Sequence, residues 1–327
     1  MSKACTLLRI DEERTVEAIA DYLQNLYNQH SARGVLIGLS GGIDSALLAT
    51  LAVHILGKNA VHAAYLYDRD SERVLALNAR RIADWLGIEL ETQSIEPEMR
   101  ARGIYAPSIV RSTHLSQHLN RFIHRFYYLV LGETPFISSL RAGNDEVGNR
   151  WLRKMTLGSI GRHAEAGFDT RHRYRREVLE LKAVSQQWLL LGAANRSEWM
   201  VGWFVKDGVD DLPFQPMIGL YKTQVQQLAV FLRIPIEVRT QAPSPDMMRG
   251  ITDEFAIGLS CSKIDVALDF LEGGLSRESL TAMCITEKEL RQVQTMKFLS
   301  KWKRRPLLEP LTIDGGPTGG LRIQSTR

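Results

Sequence analysis

Ser40, Gly41, Gly42, Asp44 and Ser45 stand together in VLIGLSGGIDSALLAT, residues 35 to 50, directly after an apolar run. Two glycines and two hydroxyls at a strand-to-helix turn can surround an anion with backbone N–H groups and side-chain hydroxyls, without any charged donor. Asp44 adds oxygen ligands for a hard cation. No lysine follows Gly42, so the turn is not the Gly-Lys-Ser/Thr loop that grips a γ-phosphate. The structural alternative is a tight turn in which Asp44 and the serines only cap the next helix. Two basic clusters, RHRYRR at 171 to 176 and KWKRR at 301 to 305, also call for an account. They are either a solvated face or sites for an anionic substrate.

The elements around the turn follow from periodicity. Residues 11 to 29 place Val16, Ile19, Leu23 and Leu26 at helical steps, and Val35 to Leu39 reads as a buried strand. A helix over Ile43 to Leu56, a strand over Val61 to Tyr67, a helix over Glu72 to Leu86 closed by Gly87, and a strand over Ile88 to Ile95 follow. Alternating strands and helices imply a parallel sheet with right-handed crossovers, an α/β doubly wound fold. Val178 to Gln187 reads as a helix, and Trp188 to Ala193 as a strand expected beside the first, with both loops at the carboxyl edge where such sheets bind ligands. A further helix is expected over Tyr221 to Leu232. Residues 1–305 are expected to form one domain, with an insertion at 97–170 and a loose tail at 306–327. Within the insertion, HLNRFIHRFYYLVL repeats Leu119, Phe122, Phe126 and Leu129 on one helical face, a pattern expected to face the core, with a subunit interface as the alternative.

Composition narrows the classes. The chain has 327 residues, a formal charge of +4, and no apolar run long enough to cross a bilayer or serve as a secretory signal. Neither a membrane nor a nucleic-acid partner is expected, and the expected location is cytoplasmic. Cys5, Cys261 and Cys284 have no metal-binding spacing and read as structural thiols of a reducing compartment.

The order strand, SGGIDS, helix resembles the nucleotide loop of the N-type ATP pyrophosphatases, whose fold is adenine nucleotide alpha hydrolase-like. GAANRSEWMVGWFVK (192 to 206), GLYKTQVQQLA (219 to 229), APSPDM (242 to 247), TDEFAIG (252 to 258) and SKIDVALDFLEGG (262 to 274) resemble, in order and spacing, the ammonia-dependent NAD synthetases. The resemblance spans most of 15 to 95 and 172 to 305. It implies ATP as co-substrate, bound by Ser40, Gly41, Gly42, Asp44, Ser45, Lys222 and Ser244, with Asp44 and Lys222 catalytic and Mg²⁺ held by Asp44 and Glu198. It also implies deamido-NAD as acceptor, contacted by Arg173, Lys206 and Lys303, ammonia as nitrogen donor, and a homodimer.

The implied reaction adenylates the acceptor carboxylate, releases pyrophosphate and then AMP, and leaves an amide. About 34 residues precede the first strand, too few for a glutamine-hydrolysing domain. Free ammonia or a partner is therefore expected to supply nitrogen.

Departures concentrate on the acceptor side. Ala193 replaces a family threonine. KDGVDDLP replaces a GDGG-type turn and its substrate-contacting aspartate, placing Pro213 at the ungapped position, where a small slip would let Asp210 or Asp211 substitute. Trp302 replaces a histidine. The rival readings are a paralogue adenylating another acid, a tRNA-modifying enzyme with the same loop, and a nucleotide-binding module without turnover.

Overall fold

The computed structural model describes residues 3–106, 117–143, 162–244 and 250–304. Four parallel strands, β1 (Gly34–Gly38), β2 (Val61–Tyr67), β3 (Leu90–Ser94) and β4 (Trp188–Leu191), lie in the order β3-β2-β1-β4. Val35 pairs with Val61 on one side and Leu189 on the other, so β4 lies beside β1 as expected. The chain runs outward from β1 to β3 and returns to the far side of β1. A doubly wound sheet opens its binding crevice at such a reversal.

Both sheet faces are covered. Val35 and Ile37 of β1 pack with Leu189 and Leu191 of β4 under the helices Glu12–Gln29, Ile43–Leu56 and Arg73–Leu86. Leu36, Ala64 and Leu190 point the other way, onto Ile95, Met99 and the helix Arg162–Gln186. That opposition is the alternation of a strand buried on both sides. Ile43–Leu56 is apolar all round because it is enclosed by β1, β2 and the helices Glu12–Gln29 and Lys222–Phe231.

A second core joins the helices Arg196–Val201, Cys261–Leu271 and Glu287–Leu299, and part of the insertion enters it. Ile137 and Leu140, from the helix Pro135–Gly143, pack there.

Two expectations change, and one alternative falls. The helix leading into β4 begins at Arg162 rather than near 178, so RHRYRR lies within it. Its basic residues are not a solvated face: Arg171 and Arg175 are buried, Arg176 is partly buried, and Arg173 is 52% exposed at its side chain. Arg175 Nε donates to Leu66 O at 3.0 Å, and Arg171 meets Asp68 at 3.2 Å and Asp70 at 2.9 Å. These arginines fasten the loop at the carboxyl end of β2, which ends beside β1.

The aromatic stripe also differs. In the helix Gln117–Leu131, Phe122 is 65% and Leu129 is 82% exposed, and Leu119 and Phe126 are exposed with them. The opposite face docks instead, through buried Asn120 and Leu131 and through His124, whose ring lies 4.6 Å from that of Phe255. The proposed tail and residues 107–116 and 144–161 of the insertion lie outside the described residues.

Candidate active site

The SGGIDS turn lies at the carboxyl end of β1. Gly41 has φ of 82°, and a Cβ there would stand 2.1 Å from the Leu75 carbonyl oxygen, so only glycine fits. Ser45 Oγ donates to Gly42 O and accepts from Ser40 N, both at 3.1 Å, while the two serine hydroxyls lie 3.0 Å apart. The turn is thus held by its own hydrogen bonds. Gly42 caps the helix Ile43–Leu56 without a side-chain hydrogen bond, leaving the first N–H groups directed outward. Gly41→Ala is expected to add roughly 1–3 kcal/mol of backbone strain and to displace the loop through the Leu75 clash. Thermal unfolding and equilibrium ATP binding measure the two effects, and wild-type ATP affinity would show that the loop does not hold the nucleotide.

Asp44 enters from the first turn of that helix, and two distant elements meet it. Asn195 caps Arg196–Val201: its Oδ1 accepts the Glu198 N–H at 3.0 Å, and its Nδ2 donates to Asp44 Oδ1 at 2.9 Å. One side chain therefore holds the Asp44 carboxylate and the backbone that carries Glu198. Lys222, the first residue of Lys222–Phe231, places Nζ 2.5 Å from Asp44 Oδ2 and 3.0 Å from Glu198 Oε1.

The start of the lysine helix is held from below. Lys222 N donates to Ser197 Oγ and Thr223 N to Asp265 Oδ2, each at 2.8 Å, and Ser197 Oγ donates to the other Asp265 oxygen. A buried carboxylate there complements the helix dipole. Asn195, Ser197 and Asp265 were not anticipated from sequence. The offset of Asn195 and Glu198, the spacing of an N-cap and its third helical residue, was the available signal.

Electrostatics reflect crowding. Burial pushes the Glu198 carboxyl up to about 8, with Lys222 opposing the shift and Asp44 adding to it. Burial alone would lower the Lys222 pKa, but Asp44 and Glu198 outweigh it and hold the ammonium well above its ordinary value. Asp253, at the start of the helix Asp253–Ile257, is raised to about 6 by burial, with Lys222 opposing and Asp44 adding.

Among the described residues no cluster of three or more acidic, histidine or cysteine side chains is arranged to hold a metal ion. Asp44 and Glu198 nevertheless converge on one cation, the Lys222 ammonium. Two hard carboxylates suit Mg²⁺, which takes its remaining ligands from water and phosphate.

Ser244 is half-buried, and Pro243 O accepts the Asp253 N–H at 3.0 Å, tying that stretch to the site. The rest of APSPDM, from 245 on, lies outside the described residues.

The three cations expected to contact an acceptor, Arg173, Lys206 and Lys303, are brought together. Arg173 Nε donates to Lys206 O at 3.3 Å, Lys206 Nζ to Trp302 O at 3.1 Å, and Lys303 Nζ to Gly202 O at 2.8 Å. His172 is buried beside them, with Nδ1 2.9 Å from Asp210 Oδ2. Burial disfavours the Asp210 charge, yet His172 brings the carboxyl below its usual range. Asp211 turns inward: it is buried, accepts the Asp207 N–H at 2.9 Å, and is raised to about 6 by burial despite Arg176. Asp210 is the better placed of the two to face a ligand. Trp302 packs against Gly143, where a Cβ would lie 2.0 Å from the indole ring, and its N–H reaches Leu140 O at 3.4 Å. The helix Pro135–Gly143 therefore touches Trp302, next to Lys303.

The family model for NAD synthase matches residues 15–115 and 161–307. The NH(3)-dependent NAD(+) synthetase of Thermotoga maritima is 30% identical over 300 residues, covering 91% of this chain and 99% of that protein. The same-named protein of Coprothermobacter proteolyticus is 30% identical over 89% of this chain and 96% of its own length. Among solved structures, an NMN synthetase from Francisella tularensis aligns with TM-score 0.64 and 24% identity over 92% of this chain and 99% of its own. An NH3-dependent NAD synthetase from Campylobacter jejuni aligns with TM-score 0.60 and 20% identity over 91% and 98%. At those identities the structures speak for the fold. With the family model spanning most of the chain, the protein belongs to the NAD synthase family and is, as such, an ATP-dependent carbon–nitrogen ligase.

Proposed function

We propose that this chain is an ammonia-dependent NAD synthetase that adenylates the carboxylate of deamido-NAD and converts the acyl-adenylate to the amide. The observation that carries the reading is the convergence of Asp44, Glu198 and Lys222 beside a glycine turn that lacks a Walker lysine. An acceptor carboxylate oxygen attacks the α-phosphorus and pyrophosphate leaves. The lone pair of ammonia then forms the C–N bond as the acyl C–O bond to AMP breaks, and the nitrogen loses a proton. Lys222 exchanges its carboxylate partners for phosphate oxygens, and the loop N–H groups and Ser40 and Ser45 hydroxyls hold the leaving pyrophosphate. Asp44 and Glu198 would hold Mg²⁺, which would neutralise phosphate charge. Turnover with deamido-NAD and ammonium should yield AMP and pyrophosphate, and ADP with orthophosphate would overturn the assignment.

The acceptor contacts support an anionic substrate held by Arg173, Lys206 and Lys303. Arg173 is exposed and bound weakly, 3.4 Å from Asp169, so it is available to a ligand. Arg173→Ala should raise the KM for the acceptor about ten- to hundredfold, the scale of a charge-assisted contact, with little change in the KM for ATP. Equal losses for both substrates would place Arg173 elsewhere.

A second reading, a different carboxylic acid as acceptor, is favoured by one observation: the helix Pro135–Gly143 and Trp302 meet beside Lys206. The same product assay with a panel of acids decides between them. We further propose a homodimer acting in the cytoplasm. The exposed stripe on Gln117–Leu131 supports the first, and three free thiols support the second. Sedimentation and cell fractionation test these.

A further inference from the structure

A small pocket is lined by Val201, Trp203, Ile257 and Ile264 and, among its polar groups, by Glu198, Lys222 and Asp253. Asp253 is only 8% exposed and lines this pocket together with Trp203. Its Oδ1 is buried without a hydrogen-bond partner. A buried carboxylate oxygen left so is costly and calls for a ligand.

Its position narrows the kind of ligand. Glu198 and Lys222 share the pocket of Asp253, and Trp203 beside it lies between Gly202 and Phe204, whose carbonyl oxygens accept from Lys303 Nζ. Asp253 therefore stands where the nucleotide side and the acceptor side of the site adjoin, the place a nucleophile must reach. Lys222 is paired with Asp44 and Glu198, which would also hold Mg²⁺, so the Asp253 carboxylate in the same pocket is left to a further cation. A divalent ion needs several converging oxygens, whereas this pocket, apart from Glu198 already assigned to Mg²⁺, offers the one unpartnered Asp253 oxygen beside largely apolar walls. A small monovalent ion with N–H donors suits it: one N–H to Oδ1, its remaining surface against Trp203 and the aliphatic walls.

We propose that this pocket is the subsite at which the amine substrate is received as ammonium, with Asp253 as its anchoring carboxylate, which takes one proton so that ammonia is the attacking species, and Val201, Ile257 and Ile264 as the walls that exclude alkylated amines. The proposal rests on the ligase reading above and adds to it the site of the nitrogen donor.

The adenylation half-reaction separates the two. Exchange of labelled pyrophosphate into ATP, dependent on deamido-NAD and run without ammonium, tests the ligase reading alone. Its absence from the wild-type enzyme would remove that reading and the subsite with it. Given exchange, Asp253→Asn should raise the KM for ammonium ten- to hundredfold while exchange stays within about twofold of wild type. An unchanged ammonium KM, or a parallel loss of exchange, would overturn the subsite. A second variant reads a gain rather than a loss. Val201→Ala should admit methylammonium, giving an N-methylamide that the wild type does not form. Failure of the folded, exchange-competent Val201→Ala enzyme to form that product would overturn the assignment of the walls.

Discussion

Lys222→Met is expected to lower the rate of pyrophosphate release by roughly 10²–10³-fold, the scale for removing one preorganised cationic donor from a developing oxyanion. Methionine keeps much of the side-chain volume, so the helix Lys222–Phe231 should stay in place on its Ser197 and Asp265 caps. What changes is charge. Asp44 and Glu198 lose the ammonium that stands 2.5 and 3.0 Å from them, and the buried Glu198 carboxyl, whose raised pKa Lys222 opposes, takes up a proton more readily. Single-turnover AMP formation at saturating ATP measures the chemical step. A raised KM for ATP with an unchanged rate constant would assign Lys222 to ground-state binding alone.

The largest stability effect is expected away from the chemistry. Arg171→Met removes a guanidinium that is 3% exposed and leaves Asp68, fully buried, and Asp70, 7% exposed, without it. Deleting one partner from a buried ion cluster typically costs about 3–5 kcal/mol, because the remaining charge stays desolvated. The cost should appear as a lower urea midpoint with an unchanged slope. Arg173→Ala, two residues away and half exposed, should shift stability by no more than about 0.5 kcal/mol. If the two variants unfolded alike, the Asp68–Asp70–Arg171 cluster would not be what fastens the loop after β2.

The contrast between Arg171 and Arg173 also marks how far sequence could reach. RHRYRR shows charge but not direction, because a helix distributes six adjacent residues around its axis. Which of them faces the sheet depends on where β2 and Tyr105 lie. The aromatic stripe on Gln117–Leu131 failed for the same reason. Periodicity specifies that a face is apolar, whereas neighbours decide whether that face is covered, and here Phe255 meets the opposite side.

Local chemistry fixed the rest early. The SGGIDS turn, its positive-φ glycine and the parallel strands around it follow from steric and periodic rules that act within a few residues, and they stand where the sequence put them. So do the family and its reaction, because the motifs are contiguous. Only the tertiary structure could bring Asp44, Glu198 and Lys222 to one point, since 154 residues of chain separate the first from the second and a different element carries each. The side chains that aim them, Asn195, Ser197 and Asp265, are ordinary polar residues whose roles exist only through partners. A hydrogen bond between helix caps has no signature in either strand of sequence alone, and the orphan oxygen of Asp253 becomes meaningful only once the pocket around it has closed.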